Sequence, residues 1–335
     1  MLTPVTQTKI RWGILATGSI AATFTADLQT LGDAEVVAVG SRTLGAAKTF
    51  ADRHGIPRAY GTWAELAADP EVDIVYVATP HSAHHAASAL CLDAGKAVLC
   101  EKPLTLDAAQ AEDLCRRAEA AGVFFMEAMW TRTVPAVLRM VEMVRGGAIG
   151  EPRLVTADFS VAFTAGPEHR LRNPDLGGGA LLDLGVYPLA ISQLVFGAPS
   201  VVQAVGTPTP EGVDDTTAVT LVHPGGGVSA LTCSLSADGT WSASVSGTGG
   251  RIEFGRGYTA PSGFSVFRGD TLVERVEEPF LAGGMVHEAI EAQRCLREGL
   301  QQSPLAPWSE TLAVMRTMDT VRAQLGVEYP AAAYQ

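Results

Sequence analysis

Basic charge is scarce in this chain. Lysine and arginine number 24 against 36 aspartates and glutamates, which leaves a net charge of −12 and a pI near 5.0. A surface of that sign repels polyanions, so nonspecific binding to nucleic acid or to an anionic membrane is disfavoured. A regulator of transcription would need a basic face or an added helix-turn-helix segment, and neither is present. Cysteine is sparse too. Cys91, Cys100, Cys115, Cys233 and Cys295 are odd in number and scattered, with no Cys-x-x-Cys spacing. That argues against a disulfide framework and for reduced thiols in the cytoplasm. No uninterrupted apolar run approaches the ~18–20 residues that cross a bilayer. Met1–Lys9 lacks the charged start and apolar core of a secretion signal. Internal repeats, low-complexity tracts and long linkers are also missing.

What is present is apolar material, 47% of 335 residues. Single cores stop growing at roughly 250–300 residues, so two domains are expected, 1–129 and 130–335. The first stretch alternates. Strands are expected at Ile10–Ala16, Glu35–Gly40, Ala59–Tyr60, Asp73–Ala78, Ala97–Glu101 and Val123–Met129. Helices are expected at Ser19–Leu31, Leu44–His54, Trp63–Ala68, Ser82–Asp93 and Asp107–Ala121. That rhythm implies right-handed crossovers and a parallel sheet. It changes near residue 130. A helix at Pro135–Arg145, a strand at Leu154–Ala162 and a helix at Ala180–Phe196 precede strand-like segments up to about Val276. Turn residues between those segments favour antiparallel pairing. Helices at Met285–Glu298 and Ser309–Leu325 finish the chain. The fold class is an α/β Rossmann-type domain followed by an α+β domain with a large, predominantly antiparallel open sheet.

The first turn reads Ala16-Thr17-Gly18-Ser19-Ile20-Ala21. It fits the small-x-Gly-x-x-small form of a dinucleotide fingerprint, with alanine in the first and third glycine positions. Small residues let a pyrophosphate approach the helix N-terminus. An acid at the end of the second strand would bind the ribose 2′-hydroxyl of NAD. Here Ser41 and Arg42 stand instead, with no acid between Val36 and Ala47. Arg42 suits a 2′-phosphate and Ser41 a hydrogen bond, so NADP is favoured, with NAD possible. Thr79, Pro80 and His81 close the fourth strand, where ligands of open parallel sheets lie. His81, His84 and His85 stand at metal-ligand spacing, but zinc usually needs further ligands, so no metal is expected.

Cys100-Glu101-Lys102-Pro103 puts an acid and a base at the end of a core strand, which is costly unless they have partners or work. Proline admits either isomer of the Lys102–Pro103 bond. Far downstream, Gly177-Gly178-Gly179 leads through Asp183 to Tyr187-Pro188. Small-residue turn, Glu-Lys-Pro and Gly178–Tyr187 together resemble the glucose–fructose oxidoreductase, inositol dehydrogenase and rhizopine-catabolism (Gfo/Idh/MocA) family over nearly the whole length. Many members carry histidine where this chain has Tyr187. The tyrosine resembles a subset acting on sugars or trans-dihydrodiols. Further carriers of that likeness are Arg11–Ile14, Phe125–Arg132, Gly212–Thr216 and Ser244–Thr248. The resemblance implies an NADP-dependent dehydrogenase of a D-xylose-like sugar or a cyclic diol. It also implies pairing through the C-terminal sheet into a homodimer or larger homo-oligomer. The segment Ala162–Asp175 does not match the animal enzymes.

The chemistry agrees. Oxidising an alcohol needs a base for its proton, and a free phenol with a pKa near 10 is a poor one at neutral pH. A nearby ammonium and the positive nicotinamide would both favour tyrosinate. The expected catalytic residues are therefore Tyr187 as acid/base, Lys102 as its electrostatic partner, and Asp183, one helical turn before Tyr187 on the same face. Glu101 and Lys102 also border the cofactor. Trp130, Arg132, Phe159 and Phe280 are expected to wall the substrate alongside Asp183 and Tyr187. The structural alternatives are a core tyrosine, a helix-capping aspartate and a Glu101–Lys102 ion pair. The functional alternatives are a ketoreductase of a sugar on a natural product and a nonenzymatic NADP-binding sensor.

Overall fold

A computed structural model describes residues 8–164 and 166–330. The expectation about a secretion signal falls mainly on residues 1–7, outside the described residues.

The alternating stretch forms a six-stranded parallel sheet. Its strands are β1 (Ile10–Leu15), β2 (Ala34–Gly40), β3 (Arg58–Tyr60), β4 (Ile74–Val77), β5 (Ala97–Glu101) and β6 (Phe125–Ala128). Their order is β3-β2-β1-β4-β5-β6. The crossovers carry α1 (Ser19–Leu28), α2 (Leu44–His54), α3 (Trp63–Ala67), α4 (His84–Asp93) and α5 (Ala108–Ala121). Helices cover both faces, so β4 and β5 are buried at every residue, as parallel sheets require. Capping sets the helix limits. The Thr43 hydroxyl accepts the Ala46 N–H to start α2. Asp107 accepts the Gln110 N–H at 2.8 Å to start α5. The expected helix over Ser82–Asp93 opens instead with a 3-10 turn at His81–Ala83. The strand order reverses between β1 and β4, which opens a crevice beyond the carboxyl ends of those strands.

After α6 (Pro135–Arg145), β7 (Pro152–Ser160) and α7 (Val186–Phe196), the chain builds β8 (Val201–Pro208), β9 (Asp214–Val222), β10 (Val228–Ser234), β11 (Ala243–Gly247), β12 (Gly250–Phe254), β13 (Gly263–Arg268) and β14 (Thr271–Glu277). These strands form one eight-stranded sheet, ordered β14-β13-β12-β11-β7-β10-β9-β8. Only β10 and β7 pair in parallel; every other neighbouring pair is antiparallel. Alternation buries Val155, Ala157, Phe159, Leu231, Cys233, Val219 and Leu221 on one face. α7 lies there with Val186–Gln193 wholly buried. The segment Pro174–Phe196 is apolar and long enough to cross a membrane, but 83% of its apolar window lies inside the protein. It is a core helix.

The helix expected over Ala180–Phe196 differs in its first turns. Leu181–Gly185 is a π-helix, and α7 proper begins at Val186. The wider turn is held from outside. Asp214 accepts the Leu181 N–H, and Gly185 packs so closely on Cys233 that an added Cβ would lie 3.0 Å from its sulfur.

Two helices close the chain, α8 (Val286–Arg297) and α9 (Trp308–Leu325). α9 packs on α5, α7 and β8. α8 returns to the first sheet, where Ala289, Ala292 and Cys295 pack with Trp12, Phe24 and Leu28. The Asp27 carboxylate of α1 ties it down, accepting the Gly283 N–H at 2.9 Å and the Met285 N–H at 3.1 Å.

Candidate active site

One cavity of about 690 Å³ opens at the carboxyl ends of the parallel strands. Ala16, Thr17, Gly18, Ser19 and Ile20 line it after β1, and Ser41 and Arg42 after β2. Thr79, Pro80 and His81 follow β4, and Glu101 and Lys102 end β5. All the residues expected to hold the cofactor thus meet at one place. α1 begins at Gly18 with no side-chain cap, so its first N–H groups are free for an anion. The buried Thr79 hydroxyl has no hydrogen-bond partner. Ala16 holds φ at +96°, a conformation glycine adopts more easily. An uncapped helix end, an unpartnered hydroxyl and the Arg42 guanidinium fit a phosphorylated dinucleotide.

At the other end of the cavity the second half of the chain supplies Trp130, Phe159, Arg170, Asp183, Leu184 and Tyr187. The Lys102–Pro103 bond is cis. Lys102 Nζ donates to the Asp183 carbonyl at 2.8 Å and lies 3.4 Å from Asp183 Oδ1. It also sits 4.9 Å from the Tyr187 ring centroid. The Trp130 Nε1–H donates to Tyr187 Oη at 3.1 Å. Phe159 meets the Tyr187 ring edge-on at 5.4 Å and stacks on Trp241 at 4.8 Å. Glu101 accepts the Tyr76 hydroxyl and, at 3.1 Å, the Lys102 backbone N–H.

Charge at this end is ordered around Asp183. Burial alone would raise its pKa. The charges of Lys102 and Arg170 outweigh burial and hold the carboxylate well below its ordinary range. Burial would lower Lys102, but Asp183, Tyr187 and Glu101 keep its ammonium charged. Burial pushes the Tyr187 phenol above 10, and the pull of Lys102 and Trp130 does not overcome it. The Lys102 ammonium by itself therefore leaves a neutral phenol at neutral pH. Burial pushes His81 down to about 3. The neutral ring donates Nδ1–H to the Gly177 carbonyl at 2.9 Å. Its Nε2, 3.6 Å from Asp183, is too far for a hydrogen bond and forms no ion pair.

Two expected substrate residues stand elsewhere. Arg132 is 1% exposed and is ion-paired with Glu310. A buried guanidinium needs such a partner, and that partner lies on α9, away from the cavity. The Phe280 ring packs against Gly284, where the edge of Trp130 also lies. Phe280 does not line the cavity. The three histidines at metal-ligand spacing turn to separate partners. His81 faces Gly177, His84 the carbonyls of Thr79 and Pro103, and His85 the Asp113 carboxylate at 3.0 Å.

The sequence reading missed Arg170, whose Nη1 donates to Asp183 Oδ1 at 2.9 Å. It lies in an irregular segment with no periodicity to place it. Gly283 and Met285, on the approach to α8, also reach the cavity. Only the return of that segment to α1 brings them there.

A parallel sheet in Rossmann order, with a dinucleotide cradle beside a buried lysine, aspartate and tyrosine, defines an NAD(P)-dependent oxidoreductase. Residues 10–129 match the oxidoreductase family with an NAD-binding Rossmann fold, and residues 137–253 match the GFO/IDH/MocA C-terminal domain. The chain belongs to the Gfo/Idh/MocA oxidoreductase family. It is 41% identical over 336 residues to the trans-1,2-dihydrobenzene-1,2-diol dehydrogenase of Bos taurus, covering 96% of this chain and 98% of that one. The Homo sapiens protein of the same name is 39% identical, with the same coverage. Among solved structures, an aldose-aldose oxidoreductase from Caulobacter crescentus complexed with glycerol superposes with a TM-score of 0.86 at 25% identity. It covers 94% of this chain and 97% of that one. A 3-ketoreductase from Actinomadura kijaniata, complexed with NADP and TDP-benzene, gives 0.83 at 30% identity, covering 95% and 98%.

Proposed function

We propose that the chain is a cytoplasmic NADP-dependent dehydrogenase acting on a carbon that bears oxygen in a trans-dihydrodiol or a D-xylose-like sugar. The observation that carries this reading is the convergence of Lys102, Asp183 and Tyr187 on the cavity that also holds the dinucleotide cradle. The bound dinucleotide supplies the hydride acceptor, or the donor in reverse. Ser41 and Arg42 favour its 2′-phosphate form. The cavity is within the usual size range for small-molecule sites, and the Phe159 and Trp130 rings suit the apolar face of a cyclic diol or a sugar.

Tyr187 is the acid/base. Because Trp130 donates to Tyr187 Oη, the phenolic hydrogen is free to point into the cavity. In reduction Tyr187 gives that proton to the carbonyl oxygen. In oxidation its phenolate removes the hydroxyl proton. Lys102 holds the substrate oxygen and stabilises its negative charge, while Asp183 fixes Lys102 and accepts from a second hydroxyl. The neutral phenol is the proton donor that reduction needs, which suits a second reading as a ketoreductase of a sugar on a natural product.

We also place the domain boundary between residues 129 and 130, with α8 reaching back to the first sheet. The five cysteines, all free and buried, support the cytoplasm. The open face of the eight-stranded sheet supports a homodimer.

The decisive assay supplies dihydrodiols, aldoses and keto-sugars with NADP(H) and NAD(H), alongside Tyr187→Phe. We expect turnover with NADP(H) and a loss of ~10²–10⁴ in rate for Tyr187→Phe, with NADP affinity unchanged. An inactive wild type that binds NADP tightly would instead identify a sensor.

A further inference from the structure

The turn that carries Asp183 and leads into α7, two residues before Tyr187, is a π-helix whose own N-cap, Ala180, offers no side-chain acceptor to its first N–H groups. The acceptor comes from Asp214, at the start of β9. Asp214 Oδ2 accepts the Leu181 N–H at 2.6 Å and the Thr217 hydroxyl at 3.1 Å. Asp214 is 1% exposed. Its Oδ1 is buried with no hydrogen-bond partner among the described residues. That oxygen fills the space beside Gly179, where an added Cβ would lie 2.3 Å away and where φ is +120°. No side chain fits at Gly179 while Asp214 holds its place.

A buried carboxylate with one orphaned oxygen is costly. An apolar residue at 214 would avoid that cost, and a helix start with a nearer cap would not need Asp214. The carboxylate does something no local residue does: it fixes the first N–H of the turn that aims the reacting side chains. We propose that Asp214 is a positioning residue of this site, acting through Leu181 to set the direction of the turn that bears Asp183 and leads into Tyr187 on α7. Asp214 does not line the cavity. The inference rests on Tyr187, Lys102 and Asp183 being the reacting centre, as proposed above. A misplacement near 1 Å at a reacting group costs about 10²-fold in rate, which is the scale open to a residue of this kind.

The test compares wild type, Asp214→Ala and Asp214→Asn by amide hydrogen exchange across 180–187, NADP affinity and steady-state rates, all well below the melting temperature. For Asp214→Ala we expect faster exchange over 181–183, unchanged NADP affinity and a fall in kcat of ~10- to 100-fold with little change in KM. Asp214→Asn keeps an acceptor for Leu181 and should restore both protection and kcat. Unchanged exchange or unchanged kcat in a folded Asp214→Ala would overturn the inference, as would an Asn variant as impaired as Ala. Should Asp214→Ala fail to fold, the Leu181 amide of the wild type decides. Protection like that of the α7 interior supports the anchor, and exchange like that of an open loop overturns it. Exchange needs no turnover, so an inactive wild type with a protected turn would sink the substrate reading and leave the anchor standing.

Discussion

Tyr187 is held neutral by burial, with Lys102 pulling against it. The sign of the pH dependence follows. A base must be deprotonated, so oxidation should speed up as pH rises from neutrality toward the alkaline range. Reduction needs the proton and should fall over the same range. Initial rates in both directions from pH 6 to 10 check this, and two parallel profiles would remove Tyr187 from the role. Ala16 offers a second test. Its φ of +96° is strained for an L-residue, by roughly 1–2 kcal/mol in the left-handed region. Ala16→Gly should raise stability by up to ~1 kcal/mol, after the extra chain entropy of glycine, and leave NADP binding intact. A lower denaturation midpoint would show that Ala16 is unstrained. At this scale the sequence was legible where a motif fixes geometry: the first turn, Glu101-Lys102 and Tyr187 all reach the cavity. It was illegible where a side chain's partner is remote. Arg132 looked like a substrate contact because nothing near it in the chain shows Glu310, and Arg170 looked like loop because nothing shows Asp183.

Among elements, those with a local start signal match the sequence limits: Leu44–His54, capped by Thr43, and Pro135–Arg145, opened by its proline, coincide with the expected spans. The helix before Tyr187 does not, because a strand some thirty residues later sets its first turn. α8 raises a different question. Glu288 lies in its first turn, fully buried, with both carboxylate oxygens unpartnered. Burial first, then the charges of Glu101, Asp27 and Glu127, push its pKa well above 4.5. The folded state therefore binds a proton that the unfolded chain releases. Stability from this group is full below about pH 4.5 and is lost as pH rises through the folded-state pKa. Glu288→Gln should flatten that decline, so that the variant gains on wild type as pH rises. Unfolding midpoints measured from pH 5 to 8 would expose the opposite case, an ionised Glu288, as a constant offset between the two proteins.

For the whole molecule, the predominantly antiparallel sheet was legible from its turns, and the open face follows the expected fold class, while the parallel β7–β10 pair at its centre was not legible. One row across that face runs Thr220, Ala230, Thr156, Ser244 and Glu253, in register on neighbouring strands. The four small side chains of that row, Thr220, Ala230, Thr156 and Ser244, suit contact with an identical row. Ala230→Arg should convert the proposed dimer to monomer in sedimentation velocity. A wild type that sediments as a monomer would discard the dimer.

Because residues 283–297 cross back to α1 and furnish part of the rim around the nucleotide cradle, nucleotide-binding and substrate-binding halves cannot be exchanged between relatives at a single junction. A chimera cut only near residue 130 would graft one protein's rim onto another's cradle. A working hybrid needs three crossover points, so that the final stretch before and through α8 travels with the sheet it touches.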